Sequence, residues 1–285
     1  YIEGPTGIGK TFIEAVVADA LLGNSQDKVL LLTSKIGLLH QISDEMTRFV
    51  PNRTNSIYGG GKKDLSGQIV IMTYDAYRMV QSEIPFAFRY VLLDEAHKGL
   101  GKKTYQRLAT QKRVSILIGF TATATYSENK SLQKFLGLEV YKISIRQAIE
   151  MGLLCAAQLI MASVEIELKH KSKEESAAEY KKRLSLSIIQ KGGNIAAARL
   201  YRDLFKSRNL RGIMFALDVR QGKDLVSVLE KEGVRARIIT GKTRHDRRKE
   251  LFEAFKNHEF DVLVGIDVIK EGFDDAGVAV CIFTY

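Results

Sequence analysis

Cysteine is scarce: Cys155 and Cys281 stand alone in 285 residues, far apart and without paired spacing. This argues against a disulfide framework. Both thiols are expected to be reduced and half-buried in an intracellular, cytoplasmic protein. Long hydrophobic runs are missing as well. No stretch reaches the roughly 18 apolar residues of a membrane span, so no membrane partner is expected. No basic-then-apolar leader opens the chain. His40, His170, His245 and His258 lack metal-ligand spacing. Short-period repeats and low-complexity tracts are absent. Acid is the charge in deficit: 33 Asp and Glu face 43 Lys and Arg, a net charge of +10. That surplus favours an anionic partner such as nucleic acid and says nothing about fold.

What is present is an ordinary globular composition, 45% hydrophobic and 27% charged, long enough for one large domain or two moderate ones. Short apolar runs at Val29–Leu32, Ile69–Met72, Tyr90–Leu93 and Ser115–Phe120 read as strands. A second series follows at Ile213–Phe215, Arg237–Ile239, Val262–Val264 and Val278–Phe283. Amphipathic stretches at Thr11–Leu22, Gly37–Phe49, Leu132–Leu136, Ile195–Arg208, Gly222–Lys231 and Asp246–Lys256 read as helices, two of them stopping at Gly23 and Gly233. Strand–helix alternation predicts an α/β protein with parallel sheets. Between the series, Gln158–Leu168 alternates like an edge strand, and the charged Lys169–Arg183 reads as a solvated helix or connector. The expected organisation is a first domain over 1–145, a connector over 146–190 and a second domain over 191–285. The chain opens on Tyr1 directly before a motif and stops in a strand-like run, so a piece of a longer protein is expected.

The stretch "GPTGIGKT", Gly4–Thr11, matches G-x-x-x-x-G-K-[ST]. Average composition produces this pattern by chance in about 1% of chains this long. Its glycines allow the backbone to wrap phosphates with amides pointing inward. Lys10 would reach the β- and γ-phosphates, and the Thr11 hydroxyl would ligate Mg²⁺. The loop opens a helix whose N-terminal dipole adds to anion binding. Such a loop needs an acidic strand end to hold the metal and position a water. "DEAH", Asp94–His97, follows the apolar run Tyr90–Leu93. Asp94 suits the metal and Glu95 suits a general base. The Asn-Lys-x-Asp guanine motif is missing, since Asn129-Lys130 runs on into Ser131-Leu132. ATP is therefore the expected nucleotide.

These residues resemble superfamily 2 helicases and translocases with a DEAH box. Gly4–Thr11 looks like motif I, Asp94–His97 like motif II, and Thr121-Ala122-Thr123 like motif III. "LLTSKIGLLHQ", with Lys35 and Gln41, looks like motif Ia, and "VIMTYDAY", centred on Thr73, like motif Ib. Further on, "GIMFALDVRQGKDLVSVL", "ITGKTRHDRRKELFEAF" and "DVLVGIDVIKEGFDDAGVAVCIF" resemble motif IV, the segment after it, and motif V. "SIRQAIEMGLL" is similar to the branch of bacterial repair translocases, XPB-like helicases and restriction-enzyme translocation subunits.

The resemblance implies two RecA-like parallel-sheet domains forming a cleft, the second incomplete. ATP would bind through Gly4, Pro5, Thr6, Gly7, Ile8, Gly9, Lys10 and Thr11, with Gly272 and Asp274 completing the site. Mg²⁺ would sit on Thr11 and Asp94, and Glu95, Asp94 and Lys10 would be catalytic. His97, Thr121 and Thr123 would couple nucleotide state to domain closure. Nucleic acid, DNA in preference to RNA, would cross near Lys35, Thr73 and Thr240. Motif VI is expected beyond Tyr285. Its arginine finger is worth roughly 10³–10⁵ in rate, so the chain without it should turn ATP over poorly. Motif V usually carries Thr-Asp where Ile266-Asp267 stands here, and isoleucine lacks the hydroxyl for a backbone contact.

Two basic clusters suit a phosphate backbone: Lys98–Arg113, with six basic residues and no acid, and Arg235–Lys249, with seven and one. The alternative for each is a solvated face. Neither is interleaved with many aromatics, so base stacking is not suggested. The resemblance makes Arg248 mainly structural. The expected activity is ATP-dependent movement on nucleic acid. The alternatives are a restriction-system translocation subunit and a phosphate-loop ATPase switch acting on proteins.

Overall fold

The structure, a computed structural model, describes residues 1–99, 108, 114–127, 130–161, 175–266, 269, 275 and 277–285. It separates into two units, Tyr1–Gln158 and Leu159–Tyr285.

The first unit begins with β1 (Ile2–Glu3), which turns through the glycine-rich loop into α1 (Lys10–Leu22). It continues as β2 (Val29–Thr33), α2 (Ile36–Phe49), β3 (Asn55–Gly59), β4 (Lys62–Lys63), β5 (Ile69–Thr73), α3 (Tyr74–Val80), β6 (Tyr90–Leu93), α4 (Ala96–Gly99) and β7 (Ile116–Thr121). The hairpin of β8 (Thr125–Ser127) and β9 (Lys130–Ser131) leads to α5 (Gln133–Leu136), β10 (Tyr141–Lys142) and α6 (Ile145–Glu150). The main sheet runs β10-β1-β7-β6-β2-β5-β3-β4. Every neighbouring pair is parallel except β3 with β4.

Its central strands are apolar on both faces because both are covered. Leu30, Leu32, Val70, Met72, Val91 and Leu93 pack on one side with Tyr77 and Phe88. Val29, Leu31, Ile69, Ile71 and Leu92 pack on the other with Ala15, Ala18 and Leu22 of α1 and Leu39, Ile42 and Met46 of α2. Each such aliphatic side chain contributes roughly 1.5–3 kcal/mol by leaving water. The register sets Thr33 beside Thr73 and Leu32 beside Leu93. The carboxyl ends of β2, β5 and β6 therefore lie level, and the residues that follow them share one rim of the sheet.

The second unit contains α7 (Ala177–Gln190), α8 (Gly193–Leu204), a 3₁₀ turn (Lys206–Arg208), β11 (Arg211–Phe215), α9 (Val219–Lys231), β12 (Ala236–Ile239), α10 (His245–Lys256), β13 (Val262–Gly265) and β14 (Val278–Phe283). Its sheet, β12-β13-β11-β14, is wholly parallel. One face buries Met214, Val262 and Val264 with Leu225 and Leu229 of α9, and the other buries Ile213, Ile239 and Leu263 with Leu251 and Phe255 of α10. Arg211 and Asp275, each 6% exposed, form a two-pronged ion pair at 2.6 and 2.9 Å.

All eight strand expectations are present, Tyr90–Leu93 and Val278–Phe283 with the expected bounds and the other six extended or shifted by one or two residues. The helix expected over Ile195–Arg208 ends at Leu204 and tightens into the 3₁₀ turn. Gln158 to Met161 carry no regular structure, and the rest of the proposed edge strand lies outside the described residues. The half-buried placement of the cysteines is wrong: both are exposed. Cys281 lies on β14, at one edge of the four-stranded sheet, and its neighbour Val280 takes the buried side of the alternation.

Candidate nucleotide site

Gly4 and Lys10 bracket the loop that follows β1. The amide of Gly4 donates to the carbonyl of Thr121 at the end of β7 (2.9 Å), fixing where the loop leaves the sheet. Gly7 and Gly9 both hold φ of +86°, in the left-handed region open to glycine. Gly9 is the residue before α1, so the free amides of the first helical turn face the loop. Pro5, Ile8 and Thr11 are half-buried, and Thr6 is exposed. The Lys10 ammonium folds back to the carbonyls of Gly4 (3.4 Å) and Pro5 (3.3 Å).

Asp94 and Glu95 follow β6 at the same rim. The Thr33 hydroxyl donates to Asp94 Oδ2 at 2.8 Å, and the Tyr74 hydroxyl donates to the Asp94 carbonyl at 3.0 Å. Burial pushes the Asp94 carboxyl above its ordinary pKa, opposed by the Thr33 hydrogen bond and aided by the charge of Glu95. Glu95 holds φ of +46°. That conformation costs a side chain about 1–2 kcal/mol, and such outliers gather at functional sites. His97 Nδ1 lies 3.3 Å from Glu95 Oε2 and 2.7 Å from Thr121 Oγ1. The Thr121 hydroxyl donates to the Thr123 carbonyl and accepts from the Thr123 amide, both at 3.0 Å. Thr121 therefore touches the loop through its carbonyl and the acidic motif through its hydroxyl.

The remaining expectations divide. Lys35 is exposed at the position preceding α2, and Thr73 caps α3 by accepting from the Ala76 amide at 3.1 Å. Lys35 follows β2 and Thr73 ends the neighbouring β5, both on the rim that carries Asp94. Thr240 belongs to the second unit, after β12, where its hydroxyl accepts from the Lys242 amide at 3.2 Å. Gly272 and Asp274 lie outside the described residues, as does most of the Lys98–Arg113 cluster. Within the other cluster, Arg235 pairs with Asp261, Arg237 with Glu230 and Arg247 with Glu250. Arg248 reaches the carbonyls of Thr240 and Thr243 at 3.5 and 3.4 Å. Internal pairing therefore uses much of that cluster's charge.

Sequence reasoning missed four residues at the first-unit site. Thr33 lies one place beyond the expected end of β2. Tyr74 was read only as part of a motif. Leu154 lies so close to the loop that a Cβ on Gly7 would stand 3.2 Å from its Cδ2. Glu14 is completely buried on α1, and neither carboxyl oxygen has a hydrogen-bond partner. Its signal was available, since Glu14 falls in helical phase with the buried Ala18 and Leu22.

A magnesium–nucleotide complex fits these residues. The loop is anionophilic, Asp94 is a half-buried acid at a strand end, and Glu14 is a buried, orphaned one on the helix that the loop opens. Among the described residues no three His, Cys, Asp or Glu side chains are grouped to chelate a metal alone. Mg²⁺ is commonly held by one or two carboxylates with phosphate oxygens and water completing its shell.

Residues 1–126 match the family described as "Type III restriction enzyme, res subunit", and residues 195–284 match "Helicase conserved C-terminal domain". The chain is 24% identical to the putative ATP-dependent helicase IRC3 of Saccharomyces cerevisiae, over 94% of this chain and 41% of that protein. It is 23% identical to the DNA 3'-5' translocase XPB2 of Sulfurisphaera tokodaii, over 99% of this chain and 70% of that protein. Among solved structures, the Hef helicase domain of Pyrococcus furiosus superposes with a TM-score of 0.68 at 17% identity, over 99% of this chain and 85% of that one.

Proposed function

The chain belongs to superfamily 2 of the helicases and translocases, and we propose that it carries the ATP-driven motor of a protein that moves along nucleic acid, with DNA as its track. The observation that carries this reading is the convergence on Thr121. One residue holds Gly4 of the phosphate loop by its carbonyl and His97 of the acidic motif by its hydroxyl. A change of nucleotide at the loop therefore has a short path to Glu95.

In this reading Gly7 and Gly9 let backbone amides face the phosphates. Lys10 exchanges its loop carbonyls for the β- and γ-phosphate oxygens. Glu95, held by His97, orients the attacking water and accepts its proton. Asp94 and Thr11 would hold Mg²⁺, which when bound offsets charge on the transferring phosphoryl group. Tyr74 fixes the Asp94 backbone and directly follows Thr73. The Thr73 side chain is buried as the cap of α3, so a nucleic-acid strand at this point would meet the backbone beside Thr73, one residue before Tyr74. The DNA preference follows the translocase relative. The match of residues 1–126 to a restriction subunit supports a second reading, the translocating subunit of a restriction system.

The test is ATP hydrolysis by the full-length parent protein, alone and with single-stranded DNA, duplex DNA or RNA. DNA is expected to stimulate the rate. Glu95→Gln should lower kcat by roughly 10²–10⁴ while nucleotide still binds, the range for loss of a general base. Lys10→Ala should lose nucleotide binding itself. A rate indifferent to every polymer would overturn the motor and favour a switch that acts on proteins.

A further inference from the structure

We propose that Glu14 is a third acidic group of the metal–nucleotide centre, a positioning residue that takes hydrogen bonds from metal-bound water. The proposal rests on the magnesium–nucleotide reading given above. Glu14 is 0% exposed, and both of its oxygens lack a donor. A carboxyl buried in that state is costly, and cores rarely keep one without a partner. The charged groups acting on it are Asp94 and Glu95 after β6, Lys10 one turn earlier on α1, and Glu45 on α2. Three of these four belong to the nucleotide site, and Glu14 itself lies one turn beyond Lys10 on the helix that the loop opens.

Lys10 and Glu14 are four residues apart on one helix and share a face. Among the described residues Lys10 is the positive charge that acts on this group, and it is held at long distances by loop carbonyls. A divalent cation and its water shell bring what the site lacks, positive charge and O–H donors. In the reading above Asp94 and Thr11 are the direct ligands, which leaves Glu14, one turn beyond Lys10, for the layer that orients them.

The experiment titrates the full-length parent protein with N-methylanthraniloyl-ADP, in Mg²⁺ and in EDTA. Glu14→Gln keeps the shape of the side chain, and Glu14→Leu matches its apolar surroundings should the amide fold poorly. Paramagnetic Mn²⁺ counted by electron spin resonance reads metal occupancy directly. Both variants are expected to lose about 10–100-fold of the affinity that metal adds, the usual cost of losing a group behind the metal ligands. Metal-free affinity should stay within about twofold, and Glu14→Asp should recover part of the loss. Equal Mg²⁺ gains in variant and wild type would overturn the proposal, as would equal losses with and without metal. Failure of the unmodified protein to bind the nucleotide with Mg²⁺ would overturn the underlying reading as well.

Discussion

Glu14 and Asp94 are both pushed toward the neutral form by burial, and they differ in what opposes it. Asp94 has the Thr33 hydroxyl; Glu14 has no hydrogen-bond donor among the described residues, is opposed by the charge of Lys10, and is raised well above the ordinary glutamate value. A raised carboxyl pKa means that the folded chain keeps a proton which the unfolded chain releases. Its contribution to stability is full below the ordinary glutamate value and is lost as pH rises toward the folded one. The first unit should therefore lose stability as pH rises above the ordinary glutamate value, measured without metal or nucleotide. Glu14→Gln should flatten that slope and raise the melting temperature at neutral pH, by thermal melts across the range. A slope unchanged by the substitution would place the titration elsewhere. Such a residue was legible in part, since an acid in phase with Ala18 and Leu22 breaks a buried stripe. Whether it meets a partner depends on β6 and α2, remote in sequence.

At the scale of elements, the buried strands were the most legible features, because an unbroken apolar run between turn residues has few other uses. Helix ends were legible where glycine stops them, as at Gly23 and Gly233, both at positive φ. The short α6 was not marked as a helix. It is held by a capping box in which the Ser144 hydroxyl accepts from the Gln147 amide and the Gln147 side chain returns to the Ser144 amide. The turn after α6 brings Leu154 against Gly7. Ser144→Ala should cost about 0.5–2 kcal/mol, the range for a lost N-cap, read from the urea midpoint. An unchanged midpoint would show that packing alone holds the helix.

At the scale of the molecule, each unit has its own sheet and its own pair of apolar clusters. Leu225 is fully buried against the second sheet. Leu225→Ala should destabilise that unit by about 2–5 kcal/mol through lost burial and the cavity left behind. Hydrogen exchange should accelerate in β11 to β14 and leave β2, β5 and β6 protected. Equal acceleration in both sheets would show that the units unfold together. Among the described residues no helix is long and apolar enough to cross a membrane. The chain spans 41% of the length of its IRC3 relative and 70% of its XPB2 relative.

The sequence by itself determined the class of fold, the order of strands and helices, and the phosphate loop with its acidic strand end. Those are local properties, carried by periodicity, by glycine, and by residues adjacent in the chain. Only the tertiary structure decided that Thr121 joins loop to acid, that Thr33 and Tyr74 hold Asp94, that Glu14 is orphaned and that Cys281 faces outward. Each of these depends on which strand lies beside which and on the register between them. The interactions that decide register connect residues tens of positions apart, and no local pattern records them.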